Sequence, residues 1–551
     1  MVRGLRRHSL QISAPLRTRF RQQSLSQFLA RMSQQNAPTG IRLPSHFRFS
    51  DKPSRVEPRF KYDLCRVLRT AGADRLLVEL WQSRVDGELM RTVGKLIIAG
   101  VFGFAVLQLV RPGIPVKPAT AELQAPPEVK HILEKDCYSC HSDQLRLSWF
   151  DHIVPGYWLV RHDILTAREH LNFSTLGAKP AAAQKATLYE AVNMIQLGAM
   201  PLPSFLKLHS EAKVTPEEMA TLKAYLSPSP IAANQPGNVA DKNVSKTNAA
   251  SAEGPPPVDL AMVQPEFNGF PFDPTFENWK PISTTDRGDN NTFRFILGNE
   301  IAVKAARSGN ISPWPDGASF AKIAWQQEPG PDGLMHPGKF VQVEFMLKDA
   351  RRYKDTEGWG WGRWRGLDLK PYGSDAQFVN ECTGCHRPVR GNDYVYTLPI
   401  TAVKISGEEV VNNRAAELPP SLPFQPDEWG AITMFVDPTS HTTATLYGND
   451  AAMRAVQTRA TSGAGPGVAP AYPAGAVLAL VTWAQRDDPH WFGARIPDVP
   501  QSVEFVQVTA TGAGTSYRSF AGSSLVENHP TTSVMAQRTS FIGGLAPARL
   551  P

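Results

Sequence analysis

Two pentapeptides limit what this chain of 551 residues can be more than any other feature: Cys137-Tyr138-Ser139-Cys140-His141 and Cys382-Thr383-Gly384-Cys385-His386. Both read C-x-x-C-H, and a fifth cysteine, Cys65, stands apart. On a helical turn, positions i and i+3 bring two thiols to one face, where they can bond the two vinyl groups of one haem while the adjacent histidine meets the iron. A disulfide or half a zinc site would leave the repeated histidine unexplained, and zinc would want further Cys or His pairs close by. The expectation is therefore two covalently attached c-type haems, one bound by Cys137, Cys140 and His141 and one by Cys382, Cys385 and His386. At about 150 residues per domain the chain divides into roughly three to four units, so the motifs fall in separate ones.

The net charge of +7 is concentrated at one end: residues 1–95 hold 19 Lys and Arg against 7 Asp and Glu, leaving 39 against 44 downstream. A basic head on a mildly acidic body, without a recognition helix or aromatic RNA platform, argues against nucleic acid as a partner. The basic end leads into an export signal. Met90-Arg91-Thr92-Val93-Gly94-Lys95 is a short basic region, and Leu96 to Val110 is apolar at every position but Gln108. Such a run spans ~22 Å, short of the ~30 Å hydrocarbon core. Cleavage near Ala119-Thr120-Ala121 and retention of residues 96–110 as a strained inner-membrane anchor both stay open. Residues 90–121 are read as this signal or anchor, which makes the protein periplasmic. Residues 1–89, rich in Arg and Ser without an apolar period, are read as untranslated or as a disordered tail, with Met90 the true start.

Residues 125–227 read as all-α. Pro126-Pro127-Glu128 opens a helix, Tyr157 to Val160 and Tyr189 to Leu197 continue the pattern, and Thr215-Pro216-Glu217-Glu218 is an N-cap feeding a helix to Leu226. Residues 228–264, rich in Ser, Pro, Ala and Asn, are a flexible linker. From 265 to 405 strand-like runs dominate, such as Phe293 to Leu297 and Phe340 to Phe345. These return at 420–545: Trp279-Lys280-Pro281-Ile282 as Trp429-Gly430-Ala431-Ile432, Pro315-Asp316-Gly317-Ala318 as Pro473-Ala474-Gly475-Ala476, and Phe340-Val341-Gln342-Val343 as Phe505-Val506-Gln507-Val508. The offset grows from 150 to 158 to 165. The second copy has no cysteine, so it is read as haem-less, packed on the first as an intra-chain pseudo-dimer. The fold class is thus an all-α cytochrome c-like domain followed by a β-rich (α+β) unit in two tandem copies.

His141 supplies one axial ligand to the first iron. Met200, bracketed by Ala199 and Pro201, is the best candidate for the other, with His209 and His152 as rivals. Asp136 to Ser142, Arg168-Glu169-His170-Leu171-Asn172-Phe173-Ser174 and Gly198-Ala199-Met200-Pro201-Leu202-Pro203 resemble the haem-binding domain family of exported proteins. That resemblance implies membrane-associated electron transfer.

The second unit is similar to the cytochrome P-460 family over about residues 270–400. The resemblance rests on Trp314-Pro315-Asp316-Gly317-Ala318-Ser319-Phe320-Ala321-Lys322, on Gly338 to Phe345, on Gly358-Trp359-Gly360-Trp361-Gly362-Arg363-Trp364 and on Cys382 to Val389. It implies a β-rich fold that forms homodimers, a c-type haem, oxidation of hydroxylamine, and a lysine covalently joined to the porphyrin edge. Lys322 is the matching lysine and Lys304 the weaker alternative; the aligned residue of the second copy is Leu480. Family members that oxidise hydroxylamine use a distal carboxylate, and Asp375, Gln377, Phe378 and Glu381 compete for that place, Asp375 and Glu381 being the acids. Trp359, Trp361 and Trp364 are expected to pack under the haem edge. No Met-Pro loop follows His386, and only Met335 and Met346 precede it, so its sixth position is open to a small ligand.

The function expected is an exported dihaem cytochrome that oxidises hydroxylamine or a related small nitrogen compound at the second haem. Electrons then pass through the first to a redox partner protein. The alternatives are a nitric-oxide or gas-binding cytochrome resembling cytochrome c-prime, and a pure electron-transfer cytochrome.

Overall fold

The structure, a computed structural model, describes residues 87–227, 258–404, 411–461, 468–509 and 514–551. Cys65, the extension up to residue 86 and residues 228–257 of the expected linker lie outside them. The apolar run lies on helix α1 (Gly87–Leu107), with Leu96, Ile98, Val101 and Phe102 exposed. Among the described residues no helix is long and apolar enough to cross a membrane.

The chain enters the helical unit sooner than residue 125. Gln108, the polar residue of the apolar run, donates to Val154 O and accepts from its N–H, both at 2.9 Å. Tyr157 donates to Pro112 O at 2.6 Å, and the amides of Thr120 and Ala121 reach Ser174 O at 3.2 and 3.1 Å. Segment 108–123 belongs to this fold because its polar groups find their partners there.

Helices α2 (Pro127–Asp136), α3 (Tyr138–His141), α4 (Gly156–His170), α5 (Ala181–Gln196) and α6 (Pro216–Leu226) build the unit around Leu133, Tyr138, Phe173, Leu188, Val192 and Leu222. The N-terminus of α6 is the expected capping box: Glu218 N–H donates to Thr215 Oγ1 at 3.2 Å, and Thr215 N–H to Glu218 Oε2 at 2.8 Å. Helix α5 starts eight residues before Tyr189. Ala181, Ala182 and Ala183 favour helix but carry no apolar face for a pattern to reveal.

The β-rich part is one antiparallel sheet of twelve strands among the described residues. Its first half comprises β1 (Lys280–Arg287), β2 (Thr292–Gly298), helix α7 (Glu300–Ser308), β3 (Ser319–Pro329), β4 (Met335–Lys348), β5 (Trp359–Arg365), β6 (Lys370–Pro371) and helix α8 (Val379–His386). Then follow β7 (Gly430–Asp437), β8 (Thr442–Gly448), α9 (Asp450–Thr461), β9 (Val477–Asp488), β10 (Trp491–Val508), β11 (Thr515–Ala521), β12 (Val526–Asn528) and helix α10 (Thr532–Gly544). Strand β4 pairs with β7, and β1 pairs with β10, so the ladder closes on itself and leaves few edges.

The order strand, strand, helix, strand, strand occurs at 280–348 and again at 430–508. Lys280 faces Gly298 as Gly430 faces Gly448, and Lys322 faces Glu344 as Leu480 faces Glu504. One expected match is out of register. Ala321 faces Phe345 and Ala479 faces Phe505, an offset of 160, so Phe505 answers to Phe345 and not to Phe340. Alternating strands match in several registers, and bulges such as that between Ala324 and Trp325 shift the phase, so only the ladder decides.

The pleat sorts the side chains of β2 to β5. Phe293, Phe295, Ile323, Trp325, Val343, Phe345 and Trp364 fill one core. Arg294, Ile296, Phe320, Lys322, Glu344, Trp361 and Arg363 face a cavity on the other side.

Candidate functional site

Each C-x-x-C-H run sits where a helix turns one face to that cavity. Cys137 follows the last turn of α2, and His141 N–H returns to Cys137 O at 2.9 Å. Cys382, Cys385 and His386 lie on α8. The four cysteines are free thiols. Burial pushes Cys137 and Cys382 up to about 12 and Cys385 up to about 11, so they stay protonated at neutral pH.

Both histidines are prepared in the same way. His141 Nδ1 lies 3.0 Å from Leu171 O, and His386 Nδ1 lies 2.7 Å from Tyr394 O. A carbonyl only accepts, so each Nδ1 carries the proton and each Nε2 keeps its lone pair. Burial makes both rings less basic, His386 down to about 4, and both are neutral. A neutral imidazole with its tautomer fixed by a backbone carbonyl is the form an iron takes as ligand.

The two motifs line one continuous cavity of about 1600 Å³. A typical ligand site measures ~300–1,000 Å³, so this one has room for more than one large planar group. Paired thiols, neutral Nε2 atoms and this space fit haem at both places. Met200 lines the cavity, its loop tied to α5 by the amides of Ala199 and Met200, which donate to Met194 O at 2.9 and 3.0 Å. Met194 lines the cavity as well. The rival histidines do not: His152 is exposed, and His209 is buried with Nε2 3.0 Å from Asp151 Oδ1. His162 and His170 of α4, which sequence had not put forward as ligands, do line it.

On the β-rich side the register makes a row of alternating charge. Lys322, Glu344 and Arg363 stand side by side on β3, β4 and β5. Lys322 Nζ is 2.5 Å from Glu344 Oε2, Arg363 Nε is 3.4 Å from Glu344 Oε1, and Arg363 Nη1 is 3.2 Å from Glu381 Oε1. Burial pulls Lys322 down to about 8 against the pull of Glu344. Burial pushes Glu344 up, but the charges of Lys322 and Arg363 outweigh it and hold the carboxyl at about 2. Arg294 of β2 lines the same face, lowered by burial to about 9. Lys304 is exposed on α7 beside a separate groove, so Lys322 is the lysine brought to the motif.

The acids sort differently from the sequence expectation. Glu381 lines the cavity but is engaged by Arg363 and by the Tyr372 hydroxyl at 3.0 Å. Asp375 is not brought there; its Oδ1 accepts from Gln377 N–H at 2.8 Å and caps a short exposed turn. Gln377 is exposed, and Phe378 packs beside the cluster of Ile296 and Trp314. The carboxylate the sequence reading missed is Glu344. Its signal was there: an acid between the buried Val343 and Phe345 of β4, on a strand whose register sets it opposite Lys322.

Of the three tryptophans, Trp361 is the one whose ring meets the histidine of the motif. The Trp361 ring is 4.6 Å from that of His386. Alternation turns Trp364 to the opposite core, and Trp359 packs on Phe320. Of the methionines near the second motif, Met346 lines the cavity, while Met335 pairs away from it with Val436.

Residues 274–397 match the family model described as Cytochrome P460, and residues 98–228 match the one described as Haem-binding domain. The first match contains the second motif with Lys322 and Glu344; the second contains the first motif with Met200. A search of curated proteins finds no match to the chain. The expected fusion is what the chain contains: a helical haem-binding domain followed by a β-rich cytochrome P460 domain.

Proposed function

We propose that this union of a haem-binding domain with a cytochrome P460 domain is an exported dihaem c-type cytochrome that oxidises hydroxylamine or a related small nitrogen compound. Cys137, Cys140 and His141, with Met200, would hold one haem, and Cys382, Cys385 and His386 the other. The observation that carries the reading is the Lys322, Glu344 and Arg363 row facing the cavity that His386 shares with His141. Haem iron supplies the redox centre, and the porphyrin edge a carbon for the lysine.

Lys322, weakened as a base by burial, would be the amine to join that edge: an N–C bond would replace one N–H and one C–H bond, the two electrons and two protons released passing to an external two-electron oxidant such as a peroxide. Once it no longer carries an ammonium, Glu344 loses the first of the cations that hold it down and rises towards an ordinary carboxylate. Glu344 is then the base that accepts a substrate proton, with Arg363 orienting it. The shared cavity supports passage of electrons to the first haem and on to a redox partner protein.

Residues 420–545 are a second, haem-less copy paired with the first as a pseudo-symmetric partner. Leu480 takes the place of Lys322, and Glu504 keeps the place of Glu344 but is bound by Arg538 and Tyr517. Phe541 and Ile542 of α10 cover that face. Met434 and Val436 in turn complete the core around Trp325 and Phe345. The basic preface and exposed apolar side chains of α1 support export to the periplasm.

A gas-binding cytochrome is the second reading, favoured by Ile296, Phe320 and Met346 around Lys322 and by the ion pairs that occupy Glu344. Optical spectra of the periplasmically matured protein and its Lys322→Ala variant decide. The expected result is two haems by mass, a broad red-shifted ferrous Soret band that reverts in the variant, and turnover of hydroxylamine. Ordinary c-type spectra in both proteins would retire the cross-linked enzyme and leave gas binding. Failure of carbon monoxide to bind either ferrous haem would leave only a wire for electrons.

A further inference from the structure

The hairpin tip joining β9 to β10, residues 489–493, comprises the two-residue turn and the start of β10; it belongs to the half of the sheet without a C-x-x-C-H run, yet it touches both units that have one. On one side it meets α5. Asn193, fully buried, donates from Nδ2 to Phe492 O at 3.0 Å and accepts the Phe492 N–H at 2.6 Å, as a second strand would. The Phe492 ring lies 5.3 Å from that of Tyr189, and the Lys223 ammonium sits 5.2 Å from its centre. Gly493 has φ +87°, and a Cβ there would come within 2.8 Å of the Tyr189 ring, so conformation and space both demand glycine.

On its other side the loop meets the residues behind the second motif. His490 Nδ1 donates to Tyr396 O at 2.7 Å, and the Trp491 ring is 5.5 Å from that of Tyr396. Tyr396 in turn donates to Cys385 O at 2.7 Å and lies edge-on to His386, 5.1 Å between rings. Trp491 is held by Asp289, through Nε1 at 3.2 Å, and by the Arg287 guanidinium 4.4 Å from its ring. Ring contacts thus run from His386 through Tyr396 to Trp491 on one face of the hairpin and from Phe492 to Tyr189 on the other, joined by the backbone between the two neighbouring residues.

We infer that this hairpin is a docking clamp: the haem-less half fixes α5, and with it the first haem, relative to the second. The inference rests on the dihaem reading above. It places the control of inter-haem electron transfer in a surface contact and takes it away from the linker, whose role is then only connectivity. Tyr189, Asn193, Phe492 and Gly493 are positioning residues, touching neither substrate nor haem.

The test uses the full-length, haem-loaded protein with Asn193→Ala, which removes both hydrogen bonds to Phe492 together with the one to Tyr189 O and adds no atoms, and Gly493→Val, which drives a side chain into Tyr189. The readouts are amide hydrogen exchange of residues 189–196 and 489–493, and the rate of electron transfer between haems after photoreduction. In each variant exchange in those segments is expected to rise about tenfold. The inter-haem rate is expected to fall by about tenfold or more, while the spectrum and midpoint potential of each haem stay as in the parent. Should Gly493→Val fail to fold, Asn193→Ala carries the test alone. Unchanged exchange, or raised exchange with an unchanged inter-haem rate, overturns the clamp. A parent protein whose two haems exchange no electrons sinks the proposed function instead, a result recognisable before any variant is made.

Discussion

Replacing Glu344 with glutamine removes the negative charge at the centre of the Lys322, Glu344 and Arg363 row while keeping its shape. In the fold this carboxyl is held at about 2, against 4.5 for an ordinary glutamate. A carboxylate depressed by folding stabilises the fold above its unfolded value, and that contribution is lost as pH falls through the folded one. At about 1.36 kcal/mol per pH unit, Glu344 supplies roughly 3 kcal/mol near neutrality and about half of that at pH 3. Lys322 limits the net loss, because burial has already weakened it as a base and it can shed its proton when its partner goes. Guanidinium unfolding of parent and Glu344→Gln, both produced without haem so that Lys322 keeps its ammonium, followed by far-ultraviolet circular dichroism at pH 7 and pH 3, measures the difference. The variant is expected to be less stable by about 2–3 kcal/mol at pH 7, with the gap shrinking by about half at pH 3. A gap of equal size at both pH values, or none at pH 7, would refute the assignment of Glu344 as a charge held down by its neighbours.

Further outcomes follow from other contacts. Glu344→Gln should also lower hydroxylamine turnover by about 10²–10⁴-fold if the carboxylate is the base, measured by initial rates. Met200→His should lower the midpoint potential of the first haem and leave the second unchanged, because Met/His ligation raises it; an unchanged potential would transfer the ligand role to Met194. Gly177→Val places a Cβ 2.6 Å from Glu122 O, and should cost about 1–3 kcal/mol by thermal unfolding if segment 108–123 is retained in the mature protein. Mass spectrometry of the mature chain checks the same point directly. Arg538→Ala leaves Glu504 buried with Tyr517, and should destabilise the β-rich part by roughly 3 kcal/mol without moving either haem spectrum.

Several parts of this protein were legible in the residues themselves. The spacing of Cys137, Cys140 and His141, and of Cys382, Cys385 and His386, names a chemistry because covalent geometry leaves few other uses for it. The cap at Thr215 and the proline at Pro127 mark helix starts because they act within one turn. Lys322 was singled out by the likeness to the cytochrome P-460 family, through its place after the Pro315-Asp316-Gly317 turn. What failed were the choices that depend on pairing across strands. Glu344 is 22 residues from Lys322 in sequence but opposite it in the ladder, and a register five residues off for Phe505 hid the equivalence of Glu504. Asp375 is near the second motif in sequence, yet its carboxylate is spent on its own turn. Gln108 read as a blemish in an apolar run, although its two bonds to Val154 tie that run into the domain. Local bonding rules made the two C-x-x-C-H runs legible, since bond lengths and turn geometry reach only a few residues. Which side chains face them, and that both motifs open on one cavity, was decided by the register of a closed sheet and the docking of α5 on its hairpin, contacts between residues up to 299 apart.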